Sequence, residues 1–194
     1  MLEVVNLRRS GLAPVSLSLA AGECVAVQGP SGAGKSLMLR AIADLDVNDG
    51  EVSLDGVGRD AVSGPQWRRQ VGYVPAEPGW WADRVGEHFR DWAALLPWAE
   101  RLLLPAEAAA WPMTRPSTGE RCRLALLRAL EMAPRMLLLD EPTAALDPLA
   151  TAAVEALVGE RVAAGLGVLW VTHDAVQAAR VAGRILRISQ GRLE

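Results

Sequence analysis

The stretch Gly29-Pro30-Ser31-Gly32-Ala33-Gly34-Lys35-Ser36 contains the only lysine among the 20 basic residues of this 194-residue chain. It matches the pattern G-x-x-x-x-G-K-[S/T], in which backbone N–H groups surround a phosphate, the lysine reaches the terminal phosphates and the hydroxyl holds Mg²⁺. A compact ammonium acts there as a point charge, whereas arginine carries a bulkier planar fork. The stretch therefore predicts a phosphate-binding loop rather than a glycine-rich surface turn.

The residues on either side of this loop supply the context that the pattern requires. Residues 23–28 form an apolar run typical of a buried strand, and residues 37–45 have helical spacing. The loop then joins a strand to a helix whose N-terminus points at the phosphates. Kinases, GTPases and other P-loop NTPases share such a loop, so the loop alone predicts nucleotide binding and no particular reaction.

Strand and helix patterns alternate along the rest of the chain. Residues 135–140 form a continuous apolar run that ends in a carboxylate, as in a central parallel strand buried on both faces. The alternation predicts an α/β fold with a mostly parallel sheet and ligands at its carboxyl edge. Further strands are expected at residues 2–7, 15–19, 51–56, 70–74 and 168–172, and helices at residues 121–132 and 149–164.

Composition and charge exclude several classes of protein. The net charge is −3, so nucleic acid is not an expected partner. Cys24 and Cys122 lack the spacing of a metal site or a disulfide framework, and we expect two free thiols in a reducing cytoplasm. Neither a signal peptide nor an apolar run of membrane-spanning length is evident. We expect one domain over residues 1–194.

Tryptophan is concentrated in the middle of the chain. Residues 80–115 have helical spacing and are expected to form a small helical subdomain. Because tryptophan is mostly buried, these side chains are expected to fill the core of that subdomain. The alternative is a contact patch for a partner, since aromatic side chains anchor interfaces. Six of the seven tryptophans lie between residues 67 and 111: Trp67, Trp80, Trp81, Trp92, Trp98 and Trp111.

Polar residues at strand ends can complete a site for phosphoryl transfer to water. Ser36 and, through water, Asp140 are expected to hold Mg²⁺ beside the phosphates that Lys35 contacts. Glu141 is the candidate general base for the attacking water, and His173, at the end of another strand, is the candidate γ-phosphate contact. The alternative for the acidic pair is a solvated turn. The second histidine, His88, is expected to be structural.

Four segments resemble the ATP-binding cassette (ABC) ATPases and occur in that family's order. They resemble its Walker A, Walker B, D-loop and switch-histidine motifs, at residues 29–36, 137–143, 145–147 and 171–174. The resemblance covers essentially the whole chain and implies ATP and Mg²⁺ as cofactors. It implies a P-loop NTPase core with a mostly parallel central sheet, an N-terminal antiparallel β-subdomain and a compact helical subdomain. Residues 1–75 and 133–194 would form the core with the β-subdomain, and residues 76–132 the Q-loop region, helical subdomain and signature helix.

The resemblance also implies a head-to-tail dimer. In that family two nucleotide-binding domains close over two ATPs, and each ATP also touches the partner's signature loop, usually Leu-Ser-Gly-Gly-Gln. The segment here is Pro116-Ser117-Thr118-Gly119-Glu120. Ser117 and Gly119 would bind the γ-phosphate of the ATP held by the opposite subunit, and Asp147 of the D-loop would also contact nucleotide.

Three features depart from the family's pattern. Thr118 replaces the first signature glycine, where the backbone approaches phosphate closely. Ala76 stands where the family has the Q-loop glutamine, and Glu77 is the nearest residue able to replace it as a metal ligand. Between residues 7 and 15 there is no aromatic side chain, where the family stacks adenine on a tyrosine. One of three residues would have to contact the base: Arg8, Arg9 or Leu12.

By resemblance, the chain is the ATP-hydrolysing subunit of a bacterial ABC transporter on the inner face of the cell membrane. It would work as a dimer with a separate integral membrane permease and would lack a C-terminal regulatory domain. Residues 70–78 and 168–174, with the overall length, resemble small stand-alone ATPases such as the iron-export group. Two alternatives are a soluble ABC ATPase without a transport role, and a degenerate ATP-binding regulatory module, which Ala76 and Thr118 would favour.

Overall fold

Two β-sheets and six α-helices make up the fold in the computed structural model, which describes residues 1–193. Short 3₁₀ turns lie at Arg59–Ala61, Val85–His88 and Ala106–Ala110. In chain order the other elements are β1 (Leu2–Arg9), β2 (Leu12–Leu19), β3 (Cys24–Gln28), α1 (Lys35–Ile42), β4 (Asp49–Leu54), β5 (Val57–Gly58), α2 (Gly64–Gln70), β6 (Val71–Val74), α3 (Trp92–Arg101), α4 (Thr118–Glu131), β7 (Met136–Asp140), α5 (Pro148–Ala163), β8 (Gly167–Val171), α6 (Ala175–Val181), β9 (Arg184–Ser189) and β10 (Arg192–Leu193).

The two sheets differ in strand direction. The smaller sheet has the order β2-β1-β4-β5 and is antiparallel throughout. The larger has the order β10-β9-β3-β8-β7-β6, in which all neighbouring pairs are parallel except β10 with β9. The carboxyl ends of β3, β7 and β8 therefore meet at one edge of the larger sheet. This arrangement confirms the expected fold class.

Both faces of the larger sheet are covered, which explains its continuous apolar strands. Along β8, Leu169 and Val171 point into a core shared with α1 and the antiparallel sheet. The alternate residues, Val168 and Trp170, point into a second core shared with α3, α4 and α5. Residues of β3 and β7 alternate between the two cores in the same way. The larger sheet therefore lies between one layer of α1 and the antiparallel sheet and another layer of α3, α4 and α5.

Several boundaries differ from the sequence-based expectations. Helix α1 ends at Ile42 rather than residue 45, because Asp44 has a φ of 58° and the Leu45 N–H donates to the Arg40 carbonyl over 2.9 Å. Those contacts form a Schellman cap. Helix α4 begins at Thr118 rather than residue 121, and α2 was not expected at all. The stretch 80–115 holds only α3 and two 3₁₀ turns.

The tryptophans divide between the two interpretations. Trp67 is buried, but in the core of the α1 face, where its indole N–H donates to the Ile42 carbonyl over 2.9 Å. Trp111 is buried in the second core. Trp81 is 72% exposed, so a core role is wrong for it. His88 is buried and lies edge-on to the rings of Trp80 and Trp81, which is consistent with a structural role.

Both cysteines are free thiols, as expected. Burial is the main cause that raises the pKa of the Cys24 thiol to about 12. Over residues 1–193, no helix has the combination of length and apolar character that crossing a bilayer requires.

Candidate nucleotide site

The loop of residues 29–36 joins the end of β3 to the start of α1. Gly32 and Gly34 adopt φ values of 77° and 101°, a left-handed conformation that residues with a side chain rarely adopt. Gly34 is the N-cap of α1, so the first free N–H groups of that helix open into the loop. This geometry suits an anion, because backbone donors and the positive helix end face the same point.

The ammonium of Lys35 is held inside this loop. Its Nζ donates to the carbonyl oxygens of Gly29 and Pro30 over 2.7 and 2.9 Å, and the residue is only 8% exposed. Among residues 1–193, no carboxylate lies within ion-pair distance of it. A buried positive charge held by neutral carbonyls alone is ready to receive an anion.

The start of the loop packs tightly against β9. A Cβ atom at Gly29 would lie 2.1 Å from the carbonyl oxygen of Ile188, so no side chain fits there. The sequence pattern predicts that this glycine serves phosphate binding. In the structure, the close contact with β9 also requires a glycine at this position.

The acidic pair lies at the carboxyl end of β7. Asp140 is the last residue of the strand, is 4% exposed, and accepts a hydrogen bond from the Tyr73 hydroxyl on β6 over 3.1 Å. Burial, and then the charge of Asp140, raise the pKa of Tyr73 above its usual range. The sequence patterns gave no role to Tyr73, which lies three residues before the Ala76–Glu77 bend and orients the Asp140 carboxylate.

Glu141 leaves the strand in a left-handed conformation, with a φ of 49°. Its N–H donates to the Val171 carbonyl over 3.1 Å, and its Oε2 lies 3.0 Å from Nδ1 of His173. The His173 side chain is 69% exposed and that of Glu141 28%. Such backbone strain is characteristic of functional sites. The acidic pair is therefore not a solvated turn, because one carboxylate is buried and the other contacts a histidine.

The loop and Glu141 line one cavity of about 270 Å³, together with Lys35 and Ser36. A neighbouring cavity of about 220 Å³ is lined by Glu141, Thr143 and His173 among others. The structure thus brings the loop, Glu141 and His173 together.

The signature and D-loop residues occupy the N-termini of two helices. Ser117 caps α4, and its Oγ accepts from the Glu120 N–H over 3.2 Å. Asp147 caps α5, and its Oδ1 accepts from the Ala150 N–H over 2.8 Å. Neither residue lines the two cavities beside the loop. Within one chain, Ser117 is therefore not brought to the site of Lys35.

Gly119 makes a close contact between these two segments. A Cβ atom at this position would lie 3.0 Å from the carbonyl oxygen of Ala145 and 3.1 Å from Cδ2 of Leu146. The N-terminus of α4 therefore packs directly on the D-loop of the same chain, and any side chain at position 119 would disturb that packing.

The candidate Q-loop residues lie in a bend after β6. Ala76 and Glu77 are exposed, and the Glu77 carboxylate has no hydrogen-bond or ion-pair partner in the described part of the chain. Within residues 1–193, there is no group of three or more His, Cys, Asp or Glu residues that could hold a metal ion by itself.

The three candidates for contact with the adenine base differ in their exposure and in their contacts. Arg9 forms an ion pair with Asp46. A hydrogen bond from Arg40 is the main cause that lowers the pKa of the Asp46 carboxyl to about 2. Leu12 is 5% exposed and packs 3.3 Å from where a Cβ of Gly34 would lie, whereas Arg8 is exposed. Leu12 thus packs against the loop.

A family model described as ABC transporter matches residues 12–144, more than half of the chain. The chain belongs to the ATP-binding subunits of ABC transporters. The ABC ATPase is 35% identical to the phosphate import ATP-binding protein PstB 2 of Natronomonas pharaonis, and the match covers 94% of this chain and 72% of that protein. It is 36% identical to the Fe(3+) ions import ATP-binding protein FbpC of Pseudomonas fluorescens, over 92% of this chain and 54% of that protein. The chain thus spans only part of the length of these relatives.

Solved structures agree with this assignment. The ABC ATPase superimposes on an ATP-binding subunit of an ABC transporter with a TM-score of 0.90 and 28% identity, covering 100% of this chain and 88% of that one. It also matches a dimeric, post-hydrolysis ATP-binding cassette bound to ADP and phosphate, with a TM-score of 0.85 and 26% identity, over 100% and 98% of the two chains. The protein is therefore an ATPase whose hydrolysis of ATP is coupled to transport.

Proposed function

We propose that two copies of this ABC ATPase close head-to-tail over two ATP molecules, with Glu141 as the general base and His173 as a γ-phosphate contact. One observation carries the role of Glu141: Lys35, Ser36 and Glu141 line the same cavity. The role of His173 is supported by its Nδ1, which lies 3.0 Å from Oε2 of Glu141. A carboxylate next to a phosphate cradle can polarise an attacking water. The Glu141→Gln variant, described in the Discussion, tests this assignment.

Magnesium fits this site if the nucleotide supplies part of its coordination. Mg²⁺ typically uses one or two protein oxygens together with substrate phosphates and water. The Ser36 hydroxyl is the first candidate ligand, and the Asp140 carboxylate, oriented by Tyr73, would act through water. When bound, the ion would neutralise charge on the terminal phosphates. Glu77 remains a third candidate, although its exposed carboxylate has no hydrogen-bond or ion-pair partner among the described residues.

The second copy would complete the site. Ser117 and Gly119 do not line the cavity beside Lys35, which supports a role at the opposite subunit's ATP. The similarity to a dimeric ATP-binding cassette supports the same arrangement. Asp147 would contribute from the D-loop, whose turn packs on Gly119.

Replacing Thr118 by Gly is expected to strengthen the ATP-dependent dimer several-fold. Thr118 is exposed at the first turn of α4, where its branched side chain would stand between the backbone and the partner's γ-phosphate. Sedimentation in ATP and Mg²⁺ measures the effect, with Thr114→Gly, an exposed loop change nearby, as the control. An unchanged or weaker dimer, with wild-type folding stability, would contradict this role for position 118.

The membrane partner would be an integral permease in trans, which places this subunit on the inner face of the cell membrane. A groove of about 460 Å³ supports such docking. It lies between the end of β6 and α4, and is lined by Tyr73, Pro75, Trp81 and Arg128 among others. Trp81 is the most exposed aromatic side chain there, and Arg128 lies over its ring at 4.7 Å.

Substituting Trp80 and Trp81 together by Ala should abolish most co-purification with the permease while leaving ATP affinity within about twofold. Aromatic side chains commonly dominate interface energies, and neither residue lines the cavity of Lys35. The control is Trp98→Ala, which removes a tryptophan that lies under Arg161, outside the groove. Unchanged recovery of the permease complex would rule out docking through these two rings.

We propose import as the direction of transport, because both relatives are import proteins by name. These relatives give no support to the iron-export resemblance. They carry different substrates, and the choice of compound would belong to the membrane subunits rather than to this chain.

A further inference from the structure

Gln177 is a buried polar residue outside the motifs that the family resemblance identifies. It lies on α6 and is 4% exposed. Its Oε1 accepts from the Thr172 hydroxyl over 2.8 Å, and its Nε2 donates to the Thr143 hydroxyl over 2.9 Å and to Oε1 of Glu155 over 2.8 Å. Every polar atom of the amide is therefore used.

Each of these partners lies beside a different part of the catalytic site. Thr172 immediately precedes His173, and its hydroxyl also accepts from the Asp174 N–H over 3.1 Å. Thr143 lies two residues after Glu141, and its carbonyl accepts from the N–H of Leu146 at the D-loop over 3.0 Å. A single amide thus fixes the segments on both sides of the Glu141–His173 contact.

The third partner connects the amide to the helix that follows the D-loop. Glu155 lies on α5, and its other oxygen accepts from Nε of Arg180 over 2.6 Å. Hydrogen bonding by Arg180 is the main cause that lowers the pKa of Glu155, which keeps the carboxylate ionised and able to accept from Gln177. The network therefore joins α5, α6, the turn after β7 and the segment that follows β8.

We propose that Gln177 is a positioning residue, which holds the Glu141 turn, His173 and the D-loop helix in the register that ATP hydrolysis requires. This inference rests on the proposed roles of Glu141 and His173. Gln177 itself is no part of the phosphate cradle, so its loss should change turnover and not ATP binding. Small misplacements of catalytic groups are costly: about 1 Å can lower a rate by about 10²-fold.

An amide is required because the position needs a donor and an acceptor at once. Glutamate has the same shape but no N–H, so Gln177→Glu would place two carboxylates at the 2.8 Å contact with Glu155. Exchanging the pair, as Gln177→Glu with Glu155→Gln, restores one donor and one acceptor across the same contact. Arg180 lies one turn further along α6 and can then pair with the new carboxylate.

The test compares these variants in ATP hydrolysis, with the permease present if the isolated subunit is inactive. Gln177→Glu should lower kcat at least about fivefold with KM for ATP within about twofold, and the exchanged pair should return kcat to within about threefold of wild type. Glu160→Gln is the matched control, because it makes the same change on α5 at an exposed ion pair with Arg101. It should leave kcat unchanged.

A second measurement is independent of turnover. With ATP bound, hydrogen exchange at the amides of residues 141–147 and 172–174 should accelerate several-fold in Gln177→Glu and in the milder Thr143→Ala, while residues 29–36 keep their wild-type rates. The proposal would be overturned if Gln177→Glu had both the kcat and the hydrogen-exchange rates of the wild type. It would also be overturned if the double variant Gln177→Glu with Glu155→Gln folded but recovered no kcat. If Glu141→Gln keeps wild-type kcat, the proposed base is wrong. The hydrogen-exchange rates still decide whether Gln177 positions these segments.

Discussion

Replacing Glu141 by Gln is expected to lower kcat for ATP hydrolysis by about 10²- to 10⁴-fold, the usual contribution of a general base. The amide keeps the size of the side chain and can still bond to His173, but it cannot take the proton of the attacking water. Lys35 and the loop are unaffected, so ATP binding should remain. Steady-state phosphate release measures the effect, and Glu107→Gln, at an exposed position on the 3₁₀ turn Ala106–Ala110, is the matched control.

The same variant should accumulate as an ATP-bound dimer. If hydrolysis is the step that reopens the two subunits, removing the base leaves them closed over intact ATP. Sedimentation in ATP and Mg²⁺ should then show a dimer for Glu141→Gln where the wild type returns to monomer. A wild type that hydrolyses ATP no faster than this variant, even with its permease, would instead favour the regulatory module with weak hydrolysis.

Replacing Lys35 by Met is expected to weaken ATP binding by about 10- to 150-fold, because hydrogen bonds to charged groups contribute about 1.5–3 kcal/mol each. Arginine should not restore binding, since its fork cannot occupy the space between the Gly29 and Pro30 carbonyls that the ammonium fills. Isothermal titration with ATP and Mg²⁺ measures the affinity directly.

Thermal unfolding separates this loss of binding from a loss of folding. The ammonium is buried without a carboxylate partner in residues 1–193, so its removal should leave the Tm of the nucleotide-free protein unchanged or raise it. The increase in Tm on adding ATP, which follows the ratio of ligand concentration to Kd, should largely disappear. A variant whose Tm still rises as much as that of the wild type would show that Lys35 does not hold the phosphates.

The parts of the fold that depend on local pattern could be predicted from the sequence. The apolar runs of β3, β7 and β8 identify buried parallel strands because both faces of the sheet are covered. The loop of Lys35 follows from the spacing of its glycines. The positions of Asp140, Glu141 and His173 follow from the carboxyl ends of β7 and β8, at or just after which they lie.

The parts that depend on contacts between distant residues could not. Tyr73 and Asp140 are 67 residues apart, and their hydrogen bond exists only because β6 pairs with β7. Gln177 has no sequence signal of its own, and its role depends on partners from three other parts of the chain. Helix α2 is short, and the burial of Trp67 fixes it in place, which no local spacing reveals.

The close approach of Gly119 to Ala145 has a mechanical consequence. Because Gly119 has no side chain, the start of α4 packs directly on the turn before α5, and we expect a displacement of one to move the other. In a head-to-tail pair, the segment that touches the neighbour's ATP would thus move with the segment that precedes its own Gln177–Glu155 network. Each subunit would then sense the occupancy of its partner through a rigid contact rather than through a flexible hinge.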